Sequence, residues 1–182
     1  MTPSLTKLSP ASPSPATTTP IAVTGAFLAL DLGQHTGWAL RQPSGLVASG
    51  THGFKPGRFE GGGMPLLRFA AWLGELHASA GPIRMVFFEE VRAHKGTAAA
   101  HTYGAFLGQL TAWCETNRVG YSGVPVATIK RHATGKGNAG KEMVIAAIRA
   151  LGYTPADDNE ADALAILHWA MAQAVVGGKR HG

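Results

Sequence analysis

Two short apolar segments, each followed directly by acidic residues, constrain most strongly how this chain can fold. Residues 26–30 contain no polar side chain and end at Asp31, and residues 85–88 end at Glu89 and Glu90. Apolar runs of this length predict buried β-strands. Because side chains alternate along a strand, one of the two glutamates lies beside Asp31 if the strands are neighbours. The alternative is that these acids only mark where strands meet solvent.

The remaining patterns predict an α/β fold. The segments 36–42 and 45–54, separated by a Pro-Ser-Gly turn, are expected to form antiparallel strands after the first. A further strand is expected at 119–124. Helical patterns follow the third strand and recur to the end of the chain, over 64–81, 96–118, 125–135, 139–153 and 159–175. This order predicts a mixed five-stranded sheet flanked by helices.

The chain of 182 residues is expected to form one domain between two unstructured ends. Residues 1–25 are rich in Pro, Ser and Thr and predict a disordered tail, residues 26–176 the folded domain, and residues 177–182 a flexible C-terminus. The tail has no secretory pattern, and organellar targeting is a minor alternative. No apolar run reaches about 18 residues, so no membrane partner is expected. A single cysteine, Cys114, fits a reducing, cytoplasmic compartment.

The balance of charge favours a polyanionic partner such as nucleic acid. The formal net charge is +5 and the pI is about 9.7. Residues 128–143 carry four cations and three glycines before an acid appears, and two more cations follow Glu90. The predicted phosphate-binding cations are Lys130, Arg131, Lys136, Lys141, Arg92 and Lys95. Phosphate contacts by such residues position nucleic acid without reading its sequence. The alternative for this segment is a solvated basic loop.

The last helix begins with four acids in six positions, Asp157, Asp158, Glu160 and Asp162. Asp158 and Asp162 are four residues apart and share one helix face. Capping of the helix N-terminus explains Asp157 or Asp158 well. It explains Asp162 poorly, because Asp162 lies within an apolar helix, where a carboxylate needs a cation or a metal as partner.

Carboxylates from three distant segments predict a site for hard divalent cations, Mg²⁺ or Mn²⁺. Two such ions can stabilise both the attacking and the leaving oxygen in phosphodiester hydrolysis. The predicted metal ligands and catalytic acids are Asp31, Glu89, Asp158 and Asp162. Lys141, at the start of a helix, is the candidate catalytic cation beside them. The sequence has no zinc-binding Cys/His spacing and no phosphate-binding P-loop.

Four of these motifs, in this order, resemble the RuvC family of Holliday-junction resolvases, which have a ribonuclease H-like fold. They are LALDLGQHTGWAL, VFFEEVRAHKGTAAAHTYGAFLGQL, ATIKRHATGKGNAGKEMV and NEADALAIL. The resemblance covers most of residues 27–175 and implies metal-binding roles for Asp31, Glu89 and Asp162, and junction contacts for Lys130 and Lys141. The sequence departs from the family where Asn159 replaces an acid, and Asp158 is the better substitute ligand.

The resemblance implies a Mg²⁺-dependent endodeoxyribonuclease that makes paired symmetric nicks in a four-way DNA junction. It also implies two Mg²⁺ ions per site, replaceable by Mn²⁺, a homodimer, and a bacterial or phage-infected host cell. The helix at 64–80 is a candidate dimer interface, although its apolar stripe is equally typical of core. Two alternatives remain: a nuclease of the same fold acting on other branched DNA or on RNA–DNA hybrid, or a catalytically weak junction-binding module.

Overall fold

The two apolar segments that end in carboxylates are adjacent parallel strands of one sheet. A computed structural model describes residues 25–91 and 96–177. Strand β1 (Ala26–Asp31) pairs in parallel with strand β4 (Ile83–Glu90), and Leu30 lies opposite Phe88. The next residues along these strands are Asp31 and Glu89, so the two carboxylates lie at the same edge of the sheet.

Within the described residues, the sheet has five strands in the order β3-β2-β1-β4-β5. Strands β2 (His35–Arg41) and β3 (Val47–Gly53) continue from β1 as an antiparallel meander. Strand β5 (Gly120–Pro125) is parallel to β4. The predicted mixed five-stranded sheet is therefore confirmed.

Helices cover both faces of this sheet and form two separate cores. Helices α1 (Met64–Ser79) and α2 (Thr97–Asn117) contribute to the core on one face. The other core contains residues from α3 (Val126–Thr134), α4 (Lys141–Ala150) and α5 (Asp158–Gly177). A sheet buried on both faces needs apolar residues at consecutive strand positions, which explains the unbroken apolar runs of β1 and β4.

Alternation along β1 and β4 determines which acids share a side of the sheet. Leu30 and Phe88 belong to the core under α1 and α2, whereas Phe87 packs against the core on the α5 side. The residues that follow Leu30 and Phe88 face the other way, so Asp31 and Glu89 both point toward α5. Glu90 points toward α2.

Helix α5 is buried over most of its surface, which explains its weak amphipathic pattern. It packs on β1 and β2 below and on α3 and α4 above. Ala29 and Ala39 of the sheet and Ala161, Ala163 and Ala165 of α5 are fully buried, and their small side chains allow a close approach of helix to sheet.

The apolar stripe of α1 belongs to the core. Phe69, Trp72 and Leu73 are buried, and Leu66 packs against them. The interpretation of this stripe as a dimer interface is therefore wrong, because its side chains are already covered within one chain. No helix within residues 25–91 and 96–177 has the length and apolarity needed to cross a membrane. Of the predicted ends, residues 1–25 and 177–182, all but Gly25 and Gly177 lie outside the described residues.

Candidate active site

Four carboxylates from β1, β4 and α5 lie close enough to influence one another's ionisation. Asp31 interacts electrostatically with Glu89, Asp158 and Asp162, and Glu89 interacts with Asp162. Asp31 and Glu89 are carried by adjacent strand ends. Asp158 and Asp162 occupy successive turns of one face of α5. The structure therefore brings together all four acids predicted from the sequence.

Burial and mutual repulsion shift Asp31, Glu89 and Asp162 toward their protonated forms. Burial is the largest cause for Asp31, and repulsion by Glu89, Asp162 and Asp158 adds to it, so that the pKa of Asp31 rises to about 8. Burial raises the pKa of Glu89, and Asp162 adds to the shift. The pKa of Asp162 is also raised by burial. The site thus holds more negative charge than its own cations neutralise.

Two lysines from the predicted basic segment reach this cluster. Lys141, the first residue of α4, forms an ion pair with Asp158. The hydrogen bond from Lys141 lowers the pKa of Asp158. Lys130 of α3 lies near Glu89 and Asp162 and opposes the rise of their pKa values. These lysines can hold phosphate oxygens beside the carboxylates.

The crowded acids at the start of α5 divide into two pairs with different tasks. Asp158 and Asp162 face the cluster. Asp157 accepts a hydrogen bond from the Glu160 N–H at 2.9 Å, and Glu160 accepts one from the Ala156 N–H at 2.8 Å. These bonds resemble a capping box, except that Glu160 bonds the N–H of the residue before the N-cap, Asp157.

The capping pair also attaches α5 to the sheet. Ser49 of β3 donates a hydrogen bond to Glu160 and Thr51 donates one to Asp157, each at 2.7 Å. Glu160 is buried. Both capping acids are thereby held by an outer strand, and the two acids that face the cluster are carried at the start of the same helix. Asp157 and Glu160 are thus positioning residues.

We expect Glu160→Ala to lower the free energy of unfolding by about 1–3 kcal/mol, because it leaves the Ser49 hydroxyl and the Ala156 N–H without their acceptor. Thermal unfolding followed by circular dichroism measures the loss. The matched control is Glu75→Ala, which removes an exposed glutamate of α1. Equal melting temperatures for the two variants would contradict the assigned attachment.

Gly37 allows the first turn of α5 to lie directly on β2. It is paired with Asp31 across the β1–β2 ladder. A Cβ atom at this position would lie 1.9 Å from the carbonyl oxygen of Asn159 and 3.0 Å from the nitrogen of Glu160. Only glycine leaves room for this helix backbone, so Gly37 determines how closely Asp158 and Asp162 approach Asp31.

Tyr103 of α2 fixes the end of β4 from the opposite side. Its hydroxyl donates a hydrogen bond to the Glu89 carbonyl at 2.7 Å and accepts one from the Val91 N–H at 3.4 Å. Asp31, Glu89 and Tyr103 line a cleft of about 540 Å³ that also includes Gln34 and Thr102. The strand ends that carry Asp31 and Glu89 thus border an open cleft.

The donor set fits a hard divalent cation. Within residues 25–91 and 96–177, no three His, Cys, Asp or Glu side chains form a ready-made metal-binding group. The four clustered acids nevertheless offer oxygen ligands only, which is the chemistry that Mg²⁺ and Mn²⁺ prefer. Burial raises the pKa values of Asp31, Glu89 and Asp162, so their charged forms are costly unless a cation compensates them. Metal binding by Asp31, Glu89, Asp158 and Asp162 stays a prediction.

Of the other predicted DNA-binding residues, only Arg131 and Lys136 lie within the described residues. Arg131 is exposed on α3, and Lys136 is exposed in the loop after it. Arg92 and Lys95 lie outside the described residues. Sequence reasoning predicted capping by Asp157 or Asp158, and it missed the roles of Glu160, Gly37 and Tyr103. The Asp-x-x-Glu spacing was a readable signal for Glu160.

Comparison with known proteins places the fold. The chain matches Thermus thermophilus RuvC in complex with a Holliday junction substrate, with a TM-score of 0.71 and 22% identity over 85% of this chain and 97% of that one. The chain has a RuvC-like fold. A second Thermus thermophilus RuvC structure matches with a TM-score of 0.66 and 25% identity over 84% of this chain and 97% of that one.

A eukaryotic protein shares the RuvC-like fold. The yeast mitochondrial Holliday junction resolvase Ydc2 matches with a TM-score of 0.60 and 14% identity over 90% of this chain and 84% of that one. The sequence itself matches no protein-family model, and no curated protein is significantly similar to it. The resemblance to RuvC and the ribonuclease H-like fold class predicted from the motifs are confirmed by these structures.

Proposed function

We propose that this RuvC-like protein is a divalent-metal-dependent endonuclease that resolves four-way DNA junctions by paired symmetric nicks. One observation carries the proposal: carboxylates from β1, β4 and α5 converge with two lysines on a RuvC-like fold. One structural relative, Ydc2, is a Holliday junction resolvase by name, and another, RuvC, is described in complex with its Holliday junction substrate.

Each residue of the site has a part in this proposal. Asp31, Glu89, Asp158 and Asp162 would hold two Mg²⁺ ions, with Mn²⁺ as a substitute. Bound there, the ions would supply stabilisation for charge developing on the scissile phosphate. Lys130 and Lys141 neutralise phosphate oxygens and hold the strand against the carboxylates. Because the described part of the chain contains one such site, two symmetric nicks require a homodimer, which light scattering after gel filtration tests.

The deciding experiment compares three substrates of matched sequence. Purified protein is mixed with a four-way junction, a linear duplex and an RNA–DNA hybrid, each with Mg²⁺, Mn²⁺ or EDTA. We expect metal-dependent nicks at symmetric positions of the junction and intact duplex. Preferred cleavage of the hybrid would instead indicate a nuclease of the same fold with another substrate. Junction binding without cleavage in either metal would indicate a binding module. In that case the replacement of an acid by Asn159 has removed the activity of the site.

We expect Lys130→Ala to weaken binding to every junction sequence and to reduce the slope of log affinity against log salt by about 1, because one phosphate contact is lost. Fluorescence anisotropy between about 50 and 200 mM salt measures this slope. Arg149→Ala, which removes an exposed cation from the last turn of α4, is the control. An unchanged slope for Lys130→Ala would mean that Lys130 serves only the carboxylates.

A further inference from the structure

A rigid turn between β3 and α1 presents an aromatic ring to solvent. The Glu60 N–H donates a hydrogen bond to the Gly57 carbonyl at 3.1 Å, so residues 57–60 form a β-turn. Arg58 and Phe59 occupy its two central positions. The Phe59 side chain is 93% exposed, and the guanidinium of Arg58 lies 5.3 Å from its ring centre.

Side-chain bonds hold this turn in one conformation. The Glu60 carboxylate accepts hydrogen bonds from the Gly57 N–H at 2.6 Å and from Arg68 of α1 at 3.1 Å. Arg68 also donates to the Lys55 carbonyl at 3.3 Å. The ring of Phe59 is therefore presented by an organised support and is not a side chain at the tip of a loose loop. Preorganisation of this kind lowers the entropic cost of binding.

The loop that carries the turn borders a cleft that adjoins the cleft containing Asp31 and Glu89. At the base of the loop, the Phe54 N–H donates a hydrogen bond to the Gln34 carbonyl at 2.7 Å. Gln34 lines the cleft that contains Asp31 and also a second cleft of about 280 Å³, which is lined by Pro56 and Gly62 on either side of the turn. Thr102 is likewise shared by both clefts.

The charge of the loop favours a nucleic acid over an apolar protein partner. Lys55 and Arg58 are exposed cations, and Glu60 is the one acid among residues 55–63. Glu60 is paired with Arg68 and faces back to α1. The outward surface therefore combines positive charge with an aromatic face, the combination that binds unpaired bases and their phosphates.

We propose that the Arg58–Phe59 tip stacks on an unpaired base at the branch point of junction DNA, with Arg58 on the adjacent phosphate. This inference rests on the proposed function and adds to it a residue that distinguishes branched DNA from duplex. In a continuous duplex the bases stay stacked on one another, so no base face is available to Phe59. At a branch point, base faces are exposed at a low free-energy cost. Phe59 would thus contribute to substrate choice and not to the hydrolysis itself.

Photocrosslinking tests the contact directly. Four-way junctions carry 5-iodouracil either at the branch point or in the middle of one arm, and the wild-type protein is irradiated with each in EDTA. We expect a crosslink from the branch point to Phe59, identified by mass spectrometry of the peptide, and none to Phe59 from the arm. A branch-point crosslink at another residue alone would overturn the proposal.

Measured affinities for junction and duplex distinguish base stacking by Phe59 from general electrostatic attraction to DNA. We expect Phe59→Ala to weaken junction binding about tenfold and Phe59→Trp to restore it, with duplex binding unchanged in both. Leu46→Ala, at a 62% exposed position of the β2–β3 turn, is the control and should bind as wild type. Equal losses for junction and duplex, or no loss, would overturn the stacking role.

Cleavage of the same junction by the wild-type protein is measured in parallel with Mg²⁺. If wild type cuts the junction while Phe59→Ala binds it normally, the stacking inference alone fails. If wild type neither binds nor cuts the junction, the proposed function fails and the inference fails with it.

Discussion

Asp31→Asn is expected to abolish junction cleavage and at the same time to raise the melting temperature measured in EDTA. Cleavage should fall about a thousandfold or more, because a metal-binding carboxylate contributes several kcal/mol to stabilisation of the transition state. Stability should rise because folding of the wild type must either protonate Asp31 or bury its charge beside Glu89, Asp158 and Asp162, and asparagine avoids this cost. A gain of roughly 5 °C is expected for a domain of this size.

The stabilisation should depend on pH in a defined direction. The pKa of Asp31 is about 8 in the folded protein against an ordinary value of 3.8, so the folded state holds this proton more tightly than the unfolded state. Stability contributed by the protonated carboxyl is complete below the ordinary value and is lost as the pH rises toward 8. The advantage of Asp31→Asn should therefore be small near pH 4, grow up to pH 8 and then level off.

Differential scanning fluorimetry across this pH range measures the effect, and a nicking assay on the same samples measures activity. Mg²⁺ should raise the melting temperature of wild type and have little effect on Asp31→Asn, since a site without Asp31 binds the cation weakly. Glu142→Gln, which neutralises an exposed acid in the first turn of α4, is the control. An Asp31→Asn protein that cuts normally would remove Asp31 from the site.

Gly37→Ala is expected to destabilise the protein by about 3 kcal/mol and to impair cleavage even at temperatures where the variant stays folded. The added Cβ would meet backbone atoms of Asn159 at 1.9 and 2.3 Å. Backbone atoms cannot rotate away as the end of a side chain can, so α5 must shift as a whole. Asp158 and Asp162 would then move away from Asp31, and urea unfolding together with the nicking assay measures both effects.

Gly53→Ala provides the matched control for this steric argument. Gly53 is exposed at the end of β3, and the nearest atom that an added Cβ would meet lies 4.0 Å away. We expect it to leave both stability and cleavage close to wild type. If Gly37→Ala behaves like Gly53→Ala, the close approach of α5 to β2 does not control the site.

Part of the site could be predicted from the sequence because each of its patterns lies within a single strand or helix. The apolar runs before Asp31 and Glu89 predict strands that end in carboxylates, and the spacing of Asp158 and Asp162 places both on one helix face. The basic segment likewise predicted Lys130 and Lys141 as phosphate-binding residues. Each of these inferences depends on backbone periodicity, which is a property of neighbouring residues.

The choice between Glu89 and Glu90 needed the tertiary structure. Alternation requires the two to face opposite ways, but only the packing of α5 on one face of the sheet shows which side carries the site. The same holds for α1, where Phe69 and Trp72 fit equally well in a core or an interface until their neighbours are known.

By itself, the sequence determined the strands, the helices and which of these elements carry the acids, since these follow from side-chain periodicity and local capping. Only the tertiary structure decided how the acids meet. Ser49 and Glu160, which attach α5 to β3, are 111 residues apart, and Gly37 matters only because the Asn159 backbone lies against it. Contacts between residues so far apart in sequence form only when the whole chain folds, and no local sequence pattern predicts them.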